Sequence, residues 1–312
     1  MNNQKNYAYP IGKYEPMDYR CLMNELQELS DRYPFLAVTY MGTSTLGRGI
    51  PMVSLGGERG KCKSVLYVGA HHGMEHVTSS VLIRFIGDYC EAVKRGERIY
   101  GVSTDRLFGS RTVHVIPQLN VDGVDLQING ADGCILRDRL LQMNGSEDFA
   151  RWQANARGVD LNHNYDAGFY EYKRLEDELG INGGCSTRFS GEGSESEPET
   201  AALAALLRYS DEICGVLSLH TQGEEIYASS KEKRLRGMEC AGRIISAMTG
   251  YKFCEPSGTA AYGGLTDWCI EKLRVPAYTL ECGKGENPLP LTDLDPIYEK
   301  LRELFFSFPL LV

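Results

Sequence analysis

The chain has six histidines in 312 residues, and three of them fall in one stretch, Gly69-Ala70-His71-His72-Gly73-Met74-Glu75-His76. His72 and Glu75 are three residues apart. On a single turn of chain an imidazole nitrogen and a carboxylate oxygen can point the same way. Catalytic zinc favours such a mixture of donors, with one coordination position kept for water. Alone, the pair reads equally as a polar helix start, with Glu75 near the N-terminal end of the helix dipole and the histidines solvated or capping. His72 and His76 have the spacing of helical zinc pairs. Residue 73 is Gly, however, so the general-base Glu of a His-Glu-x-x-His pattern is missing.

The flanking elements decide where this pair can sit. Ser64 to Val68 reads as a buried strand. Val77 to Arg95 places Val77, Val81, Leu82, Phe85, Ile86 and Tyr89 at helical spacing with one buried face. The stretch therefore lies where a strand turns into a helix, and ligand sites in open α/β sheets lie at the carboxyl ends of strands. Two more apolar runs end on metal-competent groups: Ile213 to Leu219 leads into His220, and Ala277 to Leu280 into Glu281. His72, Glu75 and His220 would make a three-ligand zinc set with an open fourth position. A further Glu nearby can take the proton of a zinc-activated water. A lone His at a strand end is more often structural, and the coincidence of three such ends favours a site.

The remaining chain alternates between elements. Residues 8–14 read as an extended arm, and Asp18 to Tyr33 as a helix with Leu22, Leu26 and Leu29 on one face. Phe35 to Tyr40 and Ile50 to Leu55 read as a hairpin across the turn 42–49. Arg111 to Asn120 reads as a strand running into an Asn/Asp/Gly turn that reaches Asp125, with His114 a structural strand residue. Residues 126–196 are long, polar and irregular, as site-lining segments often are. Ser196 suits an N-cap, with Pro198 in the first helical turn. Helices are expected at Lys233–Met248, Leu265–Leu273 and Asp295–Phe308, with a Gly/Ala-rich loop at Gly258–Gly264. The alternation predicts a single α/β domain over 1–312, with 1–14 as its arm. Its sheet should be mixed, mostly parallel and twisted, with helices on both faces.

A hydrophobic fraction of 42% suffices for one large domain or two small ones. The net charge of −9, with no Lys/Arg-rich run, argues against nucleic acid and anionic membranes as partners. The polar amino terminus offers no apolar signal-peptide core, and no span long enough to cross a membrane occurs. Ten cysteines are scattered singly with no Cys-x-x-Cys, the pattern of reduced thiols in a cytoplasmic protein. The oligomeric state is not legible.

From about Tyr9 to the C-terminus the chain resembles the zinc carboxypeptidases, a family that includes bacterial γ-D-glutamyl-diamino acid peptidases. The matching pieces fall in the family's order: Gly47-Arg48-x-Ile50, His72-Gly73-x-Glu75, Asn120-x-Asp122-Gly123 and Gly158-Val159-Asp160-Leu161-Asn162-x-Asn164. Ser196-Glu197-Pro198-Glu199-Thr200, His220, Gly264-x-x-Asp267-Trp268 and Glu281 follow. Ala154-Asn155-Ala156-Arg157-Gly158 and His220-Thr221-Gln222-Gly223-Glu224 look most like the muropeptide-cleaving branch. The resemblance implies one zinc on His72, Glu75 and His220, with Glu281 passing the water proton to the leaving amine. It further implies hydrolysis of an amide bond in small peptides, such as the D-Glu to diaminopimelate bond of wall fragments.

Two departures bear on specificity. The family usually has Arg where this chain has His163, and that Arg forks onto the substrate's terminal carboxylate, which an imidazole cannot do. Related members carry Arg where Gln153 stands, which leaves Arg157 as the nearest candidate for stabilising the oxyanion. Asn162, His163, Tyr262 and Thr266 are the expected substrate contacts. Tyr262 is offset from the family's mobile Tyr, and Thr266, neutral and small, argues against a pocket for basic side chains. His71 and His76 are candidates to orient the ligands. Three rival readings are an ordinary C-terminal carboxypeptidase, a zinc deacylase of the succinylglutamate or aspartoacylase type, and an inactive binding protein on the same scaffold. The full Asn-x-Asp-Gly turn and the Asp-Trp pair disfavour the deacylase, and the intact His72, Glu75, His220 and Glu281 disfavour the inactive protein.

Overall fold

A computed structural model describes residues 15–57, 62–228, 235–256 and 258–312. The expected arm at 8–14 and the start of the helix expected at Lys233 lie outside the described residues.

The strands are β1 (Ala37–Thr43), β2 (Gly49–Gly56), β3 (Ser64–Val68), β4 (Arg98–Ile99), β5 (Val102–Ser103) and β6 (Thr112–Ile116), then β7 (Ile213–His220), β8 (Glu225–Tyr227), β9 (Lys252–Cys254) and β10 (Ala277–Glu281). The helices are α1 (Tyr19–Arg32), α2 (Val77–Arg95), α3 (Thr104–Ser110), α4 (Val121–Asn129), α5 (Arg137–Asn144) and α6 (Phe169–Glu178), then α7 (Pro198–Arg208), α8 (Met238–Thr249), α9 (Leu265–Trp268) and α10 (Leu294–Leu311). Eight strands form one sheet in the order β1-β2-β6-β3-β7-β10-β8-β9. The central strands β6, β3, β7 and β10 run parallel, and antiparallel pairs bring in β2 and β8. This is the mixed α/β sheet expected from the sequence.

Both faces of the sheet are covered, so β3 and β6 are buried along their full length. Alternation assigns the faces. Val65, Tyr67, Leu217, Leu219, Tyr278 and Leu280 join one apolar cluster with α1, α2 and α10. Leu66, Val68, Val216 and Ala277 join the other with Leu203 and Leu207 of α7 and Trp268 of α9. By the same alternation His220 and Glu281 lie on the α7/α9 side. Among the described residues no helix is long and apolar enough to cross a membrane.

Several local expectations are corrected. The Asn120 turn starts a helix, α4, because the Asn120 side chain caps it by accepting from Gly123 N at 2.9 Å. Residues 126–196 are not wholly irregular: α5 and α6 lie there. Each buries so few side chains, Leu140 for α5 and Phe169, Tyr172 and Glu176 for α6, that the apolar period is lost among charges. Ser196 does not cap α7. Glu197 is the N-cap, Pro198 opens the first turn as expected, and the Ser196 hydroxyl donates to Glu197 at 2.9 Å. Strands β8 and β9, three residues each, have no counterpart in the sequence reading.

Candidate metal centre and active site

Parallel pairing sets the centre. Glu281 and His220 are direct register partners at the ends of β10 and β7, on the same face. Val68, the last residue of β3, pairs with Ser218, so the chain leaving β3 enters at the same level. A single turn over Gly73–Glu75 then aims both His72 and Glu75 inward. Close backbone approach fixes that turn. A Cβ on Gly73 would lie 2.4 Å from the Gly123 carbonyl oxygen, and one on Gly123 would lie 2.4 Å from that of Ala154. Both glycines are therefore needed where the β3 turn, α4 and the 152–154 segment meet.

One ligand atom each from His72, Glu75 and His220 lies within 4.8 Å of the others, and all three residues are buried. The two Nδ1 atoms face inward: His72 Nδ1 is 2.9 Å from Glu75 Oε1, and His220 Nδ1 is 3.2 Å from Glu75 Oε2. The outward Nε2 atoms are tied elsewhere, His72 to Asp160 Oδ1 and His220 to the Ser218 hydroxyl, both at 3.1 Å. Such outer ties fix ring orientation and tautomer in metal sites. Asn287 approaches Glu75 Oε1 at 3.5 Å while it holds Thr221.

Charge in this cluster is poorly balanced. Burial alone would push the Glu75 carboxyl up, but His72 and the imidazole hydrogen bonds pull it down to about 2. Burial also opposes charge on His72, yet Glu75 and Asp160 hold its imidazolium well above the ordinary histidine range. Burial wins at His220 and lowers it. Burial, reinforced by the Glu75 charge, pushes the Glu281 carboxyl up to about 8. One proton on His72 thus serves two carboxylates while a third carboxyl stays protonated. A divalent cation among inward-facing nitrogen and oxygen donors fits that deficit, and this donor set suits zinc.

The cluster opens into a cavity of about 290 Å³ lined also by Gln153, Asn162, His163, Thr266, Asp267 and Glu281. Asn162, His163 and Thr266 are therefore brought to the expected place. Two other candidates are not. Arg157 is exposed with its guanidinium 3.8 Å from Glu197, away from the cavity, because Gly158 turns the chain back toward Gly184 and Cys185. Arg188 is the arginine among the described residues that line the cavity. Its backbone takes a left-handed φ of 69° and donates to Asp160 Oδ2 at 3.2 Å, a conformation that bulky residues adopt where surrounding structure imposes it. Tyr262 is the second correction. Its ring packs on Gly168, and it is the Tyr262 carbonyl that reaches the site, 2.9 Å from His163 Nδ1.

His71 packs against the centre, stacked on His220 with ring centroids 5.1 Å apart and its Nε2 3.2 Å from the Tyr165 hydroxyl. His76 does not: its Nδ1 is buried with no partner among the described residues. His114 is a strand residue bonded to Ser54 at 2.8 Å. Asp160 and Ser218 brace the ligand rings, a task that the sequence expectations give to neither residue. An acid two residues before Asn162, and a hydroxyl two before His220 on the same strand face, were the available signals. Arg188 carries no local signal.

The zinc carboxypeptidase family profile matches residues 22–304. Over 310 residues the chain is 33% identical to gamma-D-glutamyl-L-diamino acid endopeptidase 1 of Lysinibacillus sphaericus, covering 98% of this chain and 73% of that protein. Among solved structures, bovine thrombin-activatable fibrinolysis inhibitor, in complex with tick carboxypeptidase inhibitor, has a TM-score of 0.72 at 19% identity, covering 96% of each chain. Murein-tripeptide amidase MpaA of Escherichia coli O157 has a TM-score of 0.51 at 20% identity, covering 88% of this chain and 91% of that one.

Proposed function

The chain belongs to the zinc carboxypeptidase family, and from that premise we propose that it hydrolyses the bond between γ-D-Glu and a diamino acid in small wall-derived peptides. It works as one catalytic unit with zinc held by His72, Glu75 and His220. The observation that carries the peptidase reading is the convergence of these three donors beside Glu281 in one cavity. The substrate class is supported by the 33% identity to the Lysinibacillus endopeptidase. It is supported too by a cavity with Arg188 and Asp267 both in its lining, since a diamino acid carries charges of both signs.

Zinc bound there supplies a Lewis acid that polarises the scissile carbonyl and acidifies a water. Glu281 is the proton carrier: a cation held by the three donors would offset the Glu75 charge that helps keep its carboxyl protonated, and the ionised carboxylate would take the proton of the attacking water and deliver it to the leaving nitrogen. The Gln153 side chain is held by Asp160 at 3.1 Å and Thr187 at 2.7 Å, so its position is fixed in the cavity wall. Arg188 replaces Arg157 as the cation that faces negative charge developing on the carbonyl oxygen.

Protein purified without chelator should contain about one zinc per chain. It should release diaminopimelate from a γ-D-Glu tripeptide faster than Phe or Lys from ordinary peptides. Glu281→Gln should keep the zinc and lose about a hundred- to ten-thousandfold in kcat. Full turnover by that variant would remove Glu281 from the mechanism, and release of ordinary C-terminal residues alone would overturn the substrate.

A further inference from the structure

We infer that His163 is a specificity-determining residue. It accepts a hydrogen bond from a substrate amide N–H, and so favours peptides that continue beyond the leaving residue over those ending there in a free carboxylate. This rests on the peptidase reading above and goes on to say which end of a peptide the cavity takes.

The argument starts from one ring with two nitrogens. His163 Nδ1 lies 2.9 Å from the Tyr262 carbonyl oxygen. A carbonyl only accepts, so Nδ1 carries the proton. The neutral ring then presents Nε2 as a bare lone pair. Nε2 has no partner among the described residues, is not among the buried unpaired atoms, and belongs to a ring in the cavity wall. Burial pushes the His163 imidazolium below the ordinary histidine range, although Asp160 pulls the other way, so the ring is neutral at neutral pH.

The ring is held in this orientation, since turning it over would strip the Tyr262 carbonyl of its donor. It is stacked on Tyr172 with centroids 3.8 Å apart and planes within 10°. The Tyr262 carbonyl is fixed as well, because neighbouring Gly263 is bonded in both directions to the chain following His163. Gly263 N donates to Ala167 O at 2.6 Å, and Tyr165 N donates to Gly263 O at 3.1 Å. A Cβ at Gly263, whose φ is +75°, would lie 2.7 Å from the His163 carbonyl oxygen, so the two strands of chain touch. Both the acceptor atom and its direction are therefore built in.

A substrate carboxylate at Nε2 would set lone pair against lone pair, with Glu75, Asp160, Asp267 and Glu281 nearby. An amide N–H meets the lone pair directly. In a small peptide the free carboxylate beside the cleaved bond belongs to the leaving residue, and extending the chain converts it into an amide that carries such an N–H.

The test measures binding to the zinc-loaded Glu281→Gln protein, which separates recognition from turnover. The probe is a γ-D-Glu-diaminopimelate peptide in two forms, one ending in the free acid of the leaving residue and one continuing through an amide bond to D-Ala. With His163 in place the continued peptide should bind about tenfold more tightly at neutral pH. His163→Phe keeps an aromatic ring to stack on Tyr172 and should bring the two affinities together. His163→Arg should reverse the order. Equal or tighter binding of the free acid with His163 in place would overturn the inference, as would an unchanged ratio in His163→Phe. If the zinc-loaded wild type hydrolyses neither peptide while the binding ratio holds, the substrate proposal fails and this one stands.

Discussion

His72 and His220 present the same atom inward but lean on different partners, a carboxylate on one side and a hydroxyl on the other. A carboxylate behind an imidazole raises its basicity as well as aiming it, whereas a hydroxyl mainly aims it. Asp160→Asn should therefore weaken zinc binding by about ten- to a hundredfold in competition with a chelator, with Ser218→Ala near the lower end of that range. Unchanged affinity in Asp160→Asn would reduce Asp160 to a loop brace, a task it also has through the Asn162 and Arg188 amides. At this scale the ligands were legible because each sits at a strand end and has a scarce side chain. Asp160 and Ser218 were harder to see, because acids and hydroxyls are common and their task exists only across the gap between loops. Arg157 is the candidate that nearness in sequence to Gln153 suggests. The arginine in the cavity lining is instead Arg188, thirty-five residues after Gln153, where only the folded loop brings the two together.

Among the elements, the two glycines that join the turn after β3 to α4 matter most for positioning. Three backbones meet there at distances that admit no side chain. Gly73→Ala would force the Gly123 carbonyl away and drag Glu75 with the turn. Overpacking of this kind costs about 1–3 kcal/mol. The variant should lose both stability and zinc affinity, and added zinc should recover less stability than it adds to the wild type. If Gly73→Ala bound zinc normally, the close approach would not be what sets Glu75. The long strands and amphipathic helices were readable from period alone. The segment 126–196 was not, because α5 and α6 are polar helices pinned at few points. Their polar faces leave the loops around Asp160 and Arg188 free to serve the cavity.

Over the whole molecule, the sheet separates two apolar layers, and polar groups penetrate the α7/α9 side beyond the metal centre. Glu199 of α7 is buried there. It accepts from the Thr45 amide of the β1–β2 turn at 2.8 Å and from Asn155 at 3.3 Å, so one carboxyl joins three distant stretches of chain. Burial pushes it up to about 7, against the Thr45 hydrogen bond and with help from Asp122. The folded state thus holds this proton more tightly than the unfolded chain, whose glutamates titrate near 4.5. Its contribution to stability is complete below that ordinary value and is lost as pH rises to about 7, a change of roughly 3 kcal/mol. His76, lowered to about 4 by burial, runs oppositely: its contribution is present above 6.5 and fades as pH falls. The two overlap in the wild type, so the difference between proteins is the useful quantity. Glu199→Gln keeps an oxygen for the Thr45 amide and removes the titration. Urea midpoints taken across this range should show the variant gaining on the wild type with rising pH, most steeply between 5 and 7. Parallel curves would mean that Glu199 is already ionised in the fold and that the seam between α7 and the hairpin carries its charge without penalty.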